Sequence, residues 1–354
     1  MKTVFVFGAG ASQEAGAPLM QEFMDKAEDL FLRHAVEDAQ KQFELVFTAM
    51  SDFQAVHAKS YLDLDNLEVV FGAIEMGLLV KRLGKRSFGE IRRLRDAFVT
   101  VIYKTLEQSI HFSDIGGKVW PPRPYDKFAE ILAKIFGERA GIPIDVAFIT
   151  FNYDICLDYA LGFKGIHYDY GFEPRSPHVF PLLKLHGSIN WGRDSRGGLF
   201  VHPVRPDEVY FGDYLCFPCG TRIAQETKKP PMIVPPTWNK KDYHGQLTKV
   251  WTSAAAELAE AANIVVIGYS MPETDSFFRY LYALGSLGNT RIRNFIVINP
   301  EDEMTGSVRK RFEDLIGRGI HKKFTYIPKT FSEALGDIKD LLRGQPVKKS
   351  RIIS

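Results

Sequence analysis

Short, uninterrupted apolar runs recur along the chain, at residues 4–7, 146–150, 182–185, 264–267, 295–298 and 324–327. A strand with one wet face alternates apolar and polar positions, whereas a strand covered on both faces does not. These runs therefore predict buried strands of a parallel sheet. Between them the apolar spacing changes to three and four residues, which predicts helices at 128–136, 155–161, 247–262, 276–284, 307–316 and 331–342. Strand and helix in alternation define the fold class: α/β, with a Rossmann-like, mostly parallel sheet carrying helices on both faces.

Two stretches break the alternation. From about residue 20 to 120 the pattern stays helical, through Phe23, Ala27, Leu30 and Phe31, then Phe43, Val46 and Phe47, then Leu67, Val70, Phe71 and Ile74, then Phe98, Val99, Ile102 and Leu106. This is a large helical insertion with no strand of its own, closed by Pro121-Pro122-Arg123-Pro124, because consecutive prolines cannot continue a helix. Residues from about 192 to 241 are rich in Pro, Gly and aromatics, with short extended pieces such as 199–202, and predict a small irregular subdomain over the sheet. Residues 1–345 read as a single domain and 346–354 as a flexible tail.

Composition narrows the class without naming a function. A hydrophobic content of 45% with 25% charged residues excludes a disordered chain. The balance of 45 basic against 43 acidic residues removes bulk electrostatics as a reason to expect direct nucleic-acid binding. Basic pairs such as Lys81-Arg82 and Arg92-Arg93 read as a solvated helix face. No run is long enough to span a membrane, and the first apolar run lacks a small-residue cleavage site, so it reads as a strand and not a signal peptide. Three cysteines fit a reducing, cytoplasmic setting.

The buried runs open into polar clusters. Gly8-Ala9-Gly10-Ala11-Ser12 follows the first; glycines there let the backbone approach a ligand and aim amides at a phosphate, and Gly16-Ala17-Pro18 adds a bend that could cover it. The spacing is neither G-x-G-x-x-G nor a Walker A loop. Asn152 and Asp154 follow the second run, Asn152 suited to a ribose hydroxyl or a water and Asp154 to capping the next helix. His186-Gly187-Ser188 follows the third, where an imidazole can accept a proton at neutral pH. Gly268-Tyr269-Ser270 and Asn299 follow the next two, with Asp275 as a helix cap. Clusters at strand carboxyl ends outline one crevice. Cys216 and Cys219 have knuckle spacing but no second C-x-x-C; His202 or His244 would be needed to complete a zinc site, and no metal is expected.

Taken in order, these segments resemble the SIR2-like family, relatives of the sirtuins. GAGAS…GAP from Gly8 to Pro18 is similar to G-A-G-x-S…G-I-P; FNYD at 151–154 to Q-N-I-D; LHGS at 185–188 to the catalytic His-Gly; GYS at 268–270 to G-T-S; and Asn299 to the asparagine after the next strand. The resemblance implies that NAD binds as substrate in an extended pose. Gly8, Ala9, Gly10, Ala11, Ser12, Pro18, Asp154, Gly268, Ser270 and Asn299 would hold it, and Asn152 and His186 would be catalytic. The chain departs from the deacylases in lacking an arginine just past Pro18, in lacking a four-cysteine zinc ribbon, and in its helical insertion.

Those departures are similar to bacterial SIR2-like effectors of antiphage defence, which hydrolyse NAD to ADP-ribose and nicotinamide. That kinship implies a homo-oligomer and a separate regulator, such as an ATPase or Argonaute-like partner, with the helical insertion as the interaction surface. A non-catalytic module sensing NAD or an ADP-ribose nucleotide is the alternative, followed by an NAD-dependent protein deacylase.

Overall fold

A computed structural model of the chain describes residues 1–54, 61–116, 118–138, 145–172, 179–193, 199–201, 204, 214–216, 222–224, 231–234, 244–272, 276–286, 290–300 and 306–345. Its centre is a seven-stranded sheet: β1 (Thr3–Phe7), β2 (Val146–Thr150), β3 (Tyr168–Asp169), β4 (Phe180–Lys184), β5 (Asn263–Ile267), β6 (Asn294–Ile298) and β7 (Phe324–Ile327). The order across the sheet is β7-β6-β5-β1-β2-β4-β3, and every neighbouring pair is parallel. From β1 the chain builds outward on one side, then returns to add β5, β6 and β7 on the other. The reversal between β1 and β5 is the topological switch point at which doubly wound sheets open a crevice.

The strands end in register. Phe7 lies beside Thr150 and Ile267, Thr150 beside Lys184, and Ile267 beside Ile298. The ladder runs one residue further, with Gly8 N–H donating to Ile267 O, Phe151 to Phe7 O, Leu185 to Thr150 O and Gly268 to Ile298 O at 3.0 Å each. The residues after each strand therefore emerge along one edge.

Helices α7 (Cys156–Phe163) and α11 (Leu335–Leu342) each pack on α6 (Arg123–Glu138), and α8 (His244–Ala259) packs on α9 (Ser276–Gly285). Phe5 and Phe7, two apart and so on one face of β1, meet Phe128 of α6 at ring distances of 5.1 and 5.5 Å, edge to face. Between β1 and β2 run α1 (Ala9–Gln13), α2 (Phe23–Leu32), α3 (Gln40–Gln54), α4 (Leu67–Leu79) and α5 (Phe88–Ser109), with α5 against α2, α3 and α4. Ser87 and Glu90 form a reciprocal capping box that starts α5. The basic pairs at 81–82 and 92–93 are exposed, as expected. The remaining helix, α10 (Ser307–Leu315), follows β6.

Three expectations need correction. The insertion is not wholly helical, since Ser113–Ile115 and Lys118–Trp120 form an antiparallel hairpin; two three-residue strands are too short to leave an alternating pattern. The prolines at 121–124 open a helix as well as closing one: α6 starts at Arg123 with Pro124 in its first turn, where no intrahelical N–H is required. The last helix begins at Leu335, not at 331. In the subdomain expected at 192–241, Trp191–Arg193 pairs with Leu199–Val201 and Tyr214–Cys216 with Arg222–Ala224. Cys219, His202, Asp275 and the tail at 346–354 lie outside the described residues.

Candidate functional site

A cleft of about 420 Å³ opens at the carboxyl edge of the sheet, within the usual size of small-molecule sites. Ala9, Gly10, Asn152, His186, Gly268, Ser270 and Asn299, all singled out in sequence, line it together. Gly8, Ala11, Ser12 and Asp154 form the layer behind and do not reach the wall, and Pro18 is half-buried in the loop beside it.

That hidden layer explains the geometry of Asn152. Its Nδ2 donates to Gly8 O at 2.9 Å and to Ser12 Oγ at 3.0 Å. Gly8 O can only accept, so the amide nitrogen must point there and both its protons are used. Ser12 has one hydroxyl proton and gives it to Asp154 Oδ2 at 2.8 Å, so the 2.7 Å contact with Tyr125 is donated by the phenol. Asp154 Oδ1 accepts from the Cys156 N–H at 2.9 Å and so anchors the first residue of α7, close to the expected capping role. Burial, and then the nearby Asp154 carboxylate, push the Tyr125 and Cys156 pKa values well up, keeping both protonated. Asn152 is thus held from behind and offers the cleft an acceptor, Oδ1, not the donor–acceptor pair its side chain alone suggests.

His186 is held just as closely. The residue is 4% exposed, and its ring lies edge-on to Phe151 at 5.2 Å and tilted against Tyr153 at 6.3 Å. Val234 N–H donates to His186 O, Ser188 N–H to Met232 O and Trp251 Nε1 to Leu185 O, at 2.8 to 3.0 Å. Gly187 sits at φ +83°, and a Cβ there would fall 2.1 Å from Met232 O, so only glycine lets this turn close. Beneath lies a buried polar chain. Lys184 Nζ donates to Asp158 at 3.0 Å, Tyr170 OH donates to Asp158 at 2.6 Å, and Asn190 Nδ2 donates to Tyr170 OH at 3.1 Å. It joins β4 to α7 under the His186 loop, and burial followed by the Asp158 charge holds Tyr170 protonated.

At the switch point two loops meet backbone to backbone. Gly10 N–H donates to Gly268 O at 2.8 Å and Ala11 N–H to Gly8 O at 2.9 Å. The segment from Gly8 to Ser12, expected to aim its amides at a phosphate, therefore has those of Gly8, Gly10 and Ala11 already engaged within the protein. Phe151 and Tyr269 stack at 4.2 Å and 8° and give the cleft an apolar floor.

Sequence reasoning missed other parts of the wall. Leu19, Met20 and Gln21 of the loop after α1 belong to it, as do Asn66 and Glu68 of the insertion and Arg311 of α10. Leu67 N–H donates to Met20 O at 3.1 Å, tying that loop to the start of α4. Asn66 was findable as a helix cap, since its side chain accepts from Glu68 N–H at 2.9 Å; its place in the cleft has no local signal. Among the described residues no group of three His, Cys, Asp or Glu could hold a metal, and no helix is long and apolar enough to cross a membrane.

The chain is thus a doubly wound α/β protein of Rossmann-like architecture with an elongated cleft at its switch point. The segments that carry the resemblance to the SIR2-like family converge on that cleft and on the layer behind it. No protein-family profile and no curated protein matches the sequence. Among solved structures, one described as a Sir2 homologue–NAD complex is 17% identical, with 97% of this chain and 90% of that one covered, at a TM-score of 0.39. A second, concerned with the mechanism and regulation of Sir2 enzymes, is 16% identical over 97% of this chain and 92% of that one, at a TM-score of 0.42. A mutant Sir2 homologue in complex with ADP-ribose is 16% identical over the same shares, at a TM-score of 0.40.

Proposed function

We propose that the cleft binds NAD and hydrolyses the N-glycosidic bond to nicotinamide, releasing ADP-ribose, as a regulated effector of bacterial antiphage defence. The observation that carries the chemistry is the pairing of Asn152 and His186 on adjacent strand ends. One is locked to present an acceptor, and the other is nearly dry between two aromatic rings. The cleft runs past the ends of β6, β5, β1, β2 and β4. Four strand spacings of ~4.8 Å make a span of roughly 19 Å, which suits an extended dinucleotide.

Breaking this bond leaves positive charge on the ribose ring carbon and oxygen, while nicotinamide departs neutral and needs no general acid. The protein has three tasks: to hold the ribose, to favour the developing cation, and to deliver one water. Asn152 Oδ1 accepts a hydrogen bond from a ribose hydroxyl or the attacking water. His186 accepts the proton as the new C–O bond forms, or fixes the 2′- or 3′-hydroxyl. The Phe151–Tyr269 floor keeps bulk water from the reacting carbon.

Replacing His186 by Ala is expected to lower nicotinamide release by ~10²–10⁴. Asn152→Asp, which keeps the shape but places a carboxylate against Gly8 O, is expected to fail as well. Single-turnover hydrolysis assays on folded variants check both, and wild-type rates in His186→Ala would remove the assignment.

A further inference from the structure

Diphosphate binding needs donors or positive charge, and the centre of the cleft is short of both. Gly8, Gly10 and Ala11 spend their amides within the protein. The segment from Gly8 to Asp25 contains no Lys or Arg. Among the described lining residues the only Asp or Glu is Glu68 and the only Lys or Arg is Arg311.

Arg311 differs from its neighbour on the same helix. Arg309 pairs with Glu313 at 2.9 Å. Arg311 is half-buried on the cleft wall, and its Nε is buried without a hydrogen-bond partner among the described residues. A guanidinium keeps its charge at any accessible pH, and its planar fork matches two phosphate oxygens at once. A buried donor left open in a cleft otherwise poor in charge fits an anionic group of the ligand.

The sheet order says which end of the ligand that is. Arg311 sits on the helix that follows β6, with Asn299 at the end of β6; His186 follows β4, four strands away. We propose that Arg311 is the phosphate-binding residue of the cleft, acting at the end remote from His186 and supplying the cation that the loop after β1 lacks. This rests on the dinucleotide reading above. Two phosphate sources belong to that half of the ligand: the diphosphate that NAD and NADP share, and the 2′-phosphate that only NADP carries.

Calorimetric titration of wild type, Arg311→Gln and Arg311→Lys with NAD, NADP, adenosine and inorganic pyrophosphate tests the assignment. Arg311→Gln is expected to weaken dinucleotide binding about 10- to 100-fold more than adenosine binding. Arg311→Lys should recover part of that, since it keeps the charge but not the fork. Equal losses for NAD and NADP place the arginine on the diphosphate; a loss confined to NADP places it on the 2′-phosphate. Unchanged affinity for both dinucleotides in Arg311→Gln overturns the proposal, and so does an equal loss for adenosine, which would make the arginine a packing residue. Wild type that binds pyrophosphate through Arg311 but neither dinucleotide would sink the dinucleotide reading and leave the arginine assignment standing.

Discussion

Lys184 shows how much of the site is made by residues that never touch a ligand. It is wholly buried, pairs with Asp158, and donates to the backbone carbonyl of Asp154. Removing one partner of a buried pair leaves the other charge without compensation. Lys184→Met is therefore expected to destabilise the protein by ~3–5 kcal/mol in urea unfolding. Unchanged stability would show that the Tyr170 hydrogen bond alone is enough to compensate the buried Asp158 carboxylate. Asn152 and His186 were legible because each follows an apolar run directly, and such positions face ligands in open parallel sheets. Lys184, Tyr170 and Asn190 were not. A lysine at the end of a strand and a tyrosine in a loop look like surface until the fold brings them to Asp158. Arg311 was hidden in the same way, two residues from each of the ordinary ion-pairing helix positions Arg309 and Glu313.

At the scale of elements, the two loops at the switch point act as one unit. Gly268 has φ +61°, and a Cβ on it would fall 2.0 Å from Ala11 N, a backbone atom that cannot swing away. Gly268→Ala must strain the turn and pry the β1 and β5 loops apart, at a cost on the order of 1–3 kcal/mol from strain alone. Gly137, in α6 with open space around its would-be Cβ, is the control: Gly137→Ala is expected to stabilise by up to ~1 kcal/mol. Urea midpoints for the pair check the contrast, and equal effects would mean the loop contact is soft. The strands themselves were easy to read, because a continuous apolar run such as residues 264–267 admits few other structures once Gly follows. What failed was short or context-bound. The paired strands Ser113–Ile115 and Lys118–Trp120 and the two-residue β3 carry no periodicity, and the prolines at 121–124 obeyed the rule for helix starts as well as the rule for helix ends.

For the whole molecule, the insertion is more than an appendage. It supplies Asn66 and Glu68 to the cleft and ties down the loop at Met20, linking residues that nothing local in the sequence associates. Under the proposed function, this long-range closure would couple the cleft to a partner that grips the insertion. The buried polar layer also sets a pH limit. Tyr125, Tyr170 and Cys156 have folded pKa values well above their ordinary 10.0, 10.0 and 9.0, mainly through burial. A raised folded value means that the unfolded chain loses its proton first. The stability these groups contribute is complete below about pH 9 and falls as pH rises beyond it. Melting temperatures across pH 7–11 are expected to be flat, then to drop, and a rise above pH 9 would contradict the burial of this layer.

NAD cleavage by water in this cleft, as proposed above, has a direct readout. Purified protein, alone and as size-resolved assemblies, should be incubated with NAD and the free nicotinamide and ADP-ribose quantified. Equimolar release of both products without any acylated peptide, abolished by His186→Ala, is the predicted result. Tight NAD binding with no nicotinamide released by any assembly, or release only when an acyl-lysine peptide is added, would contradict it.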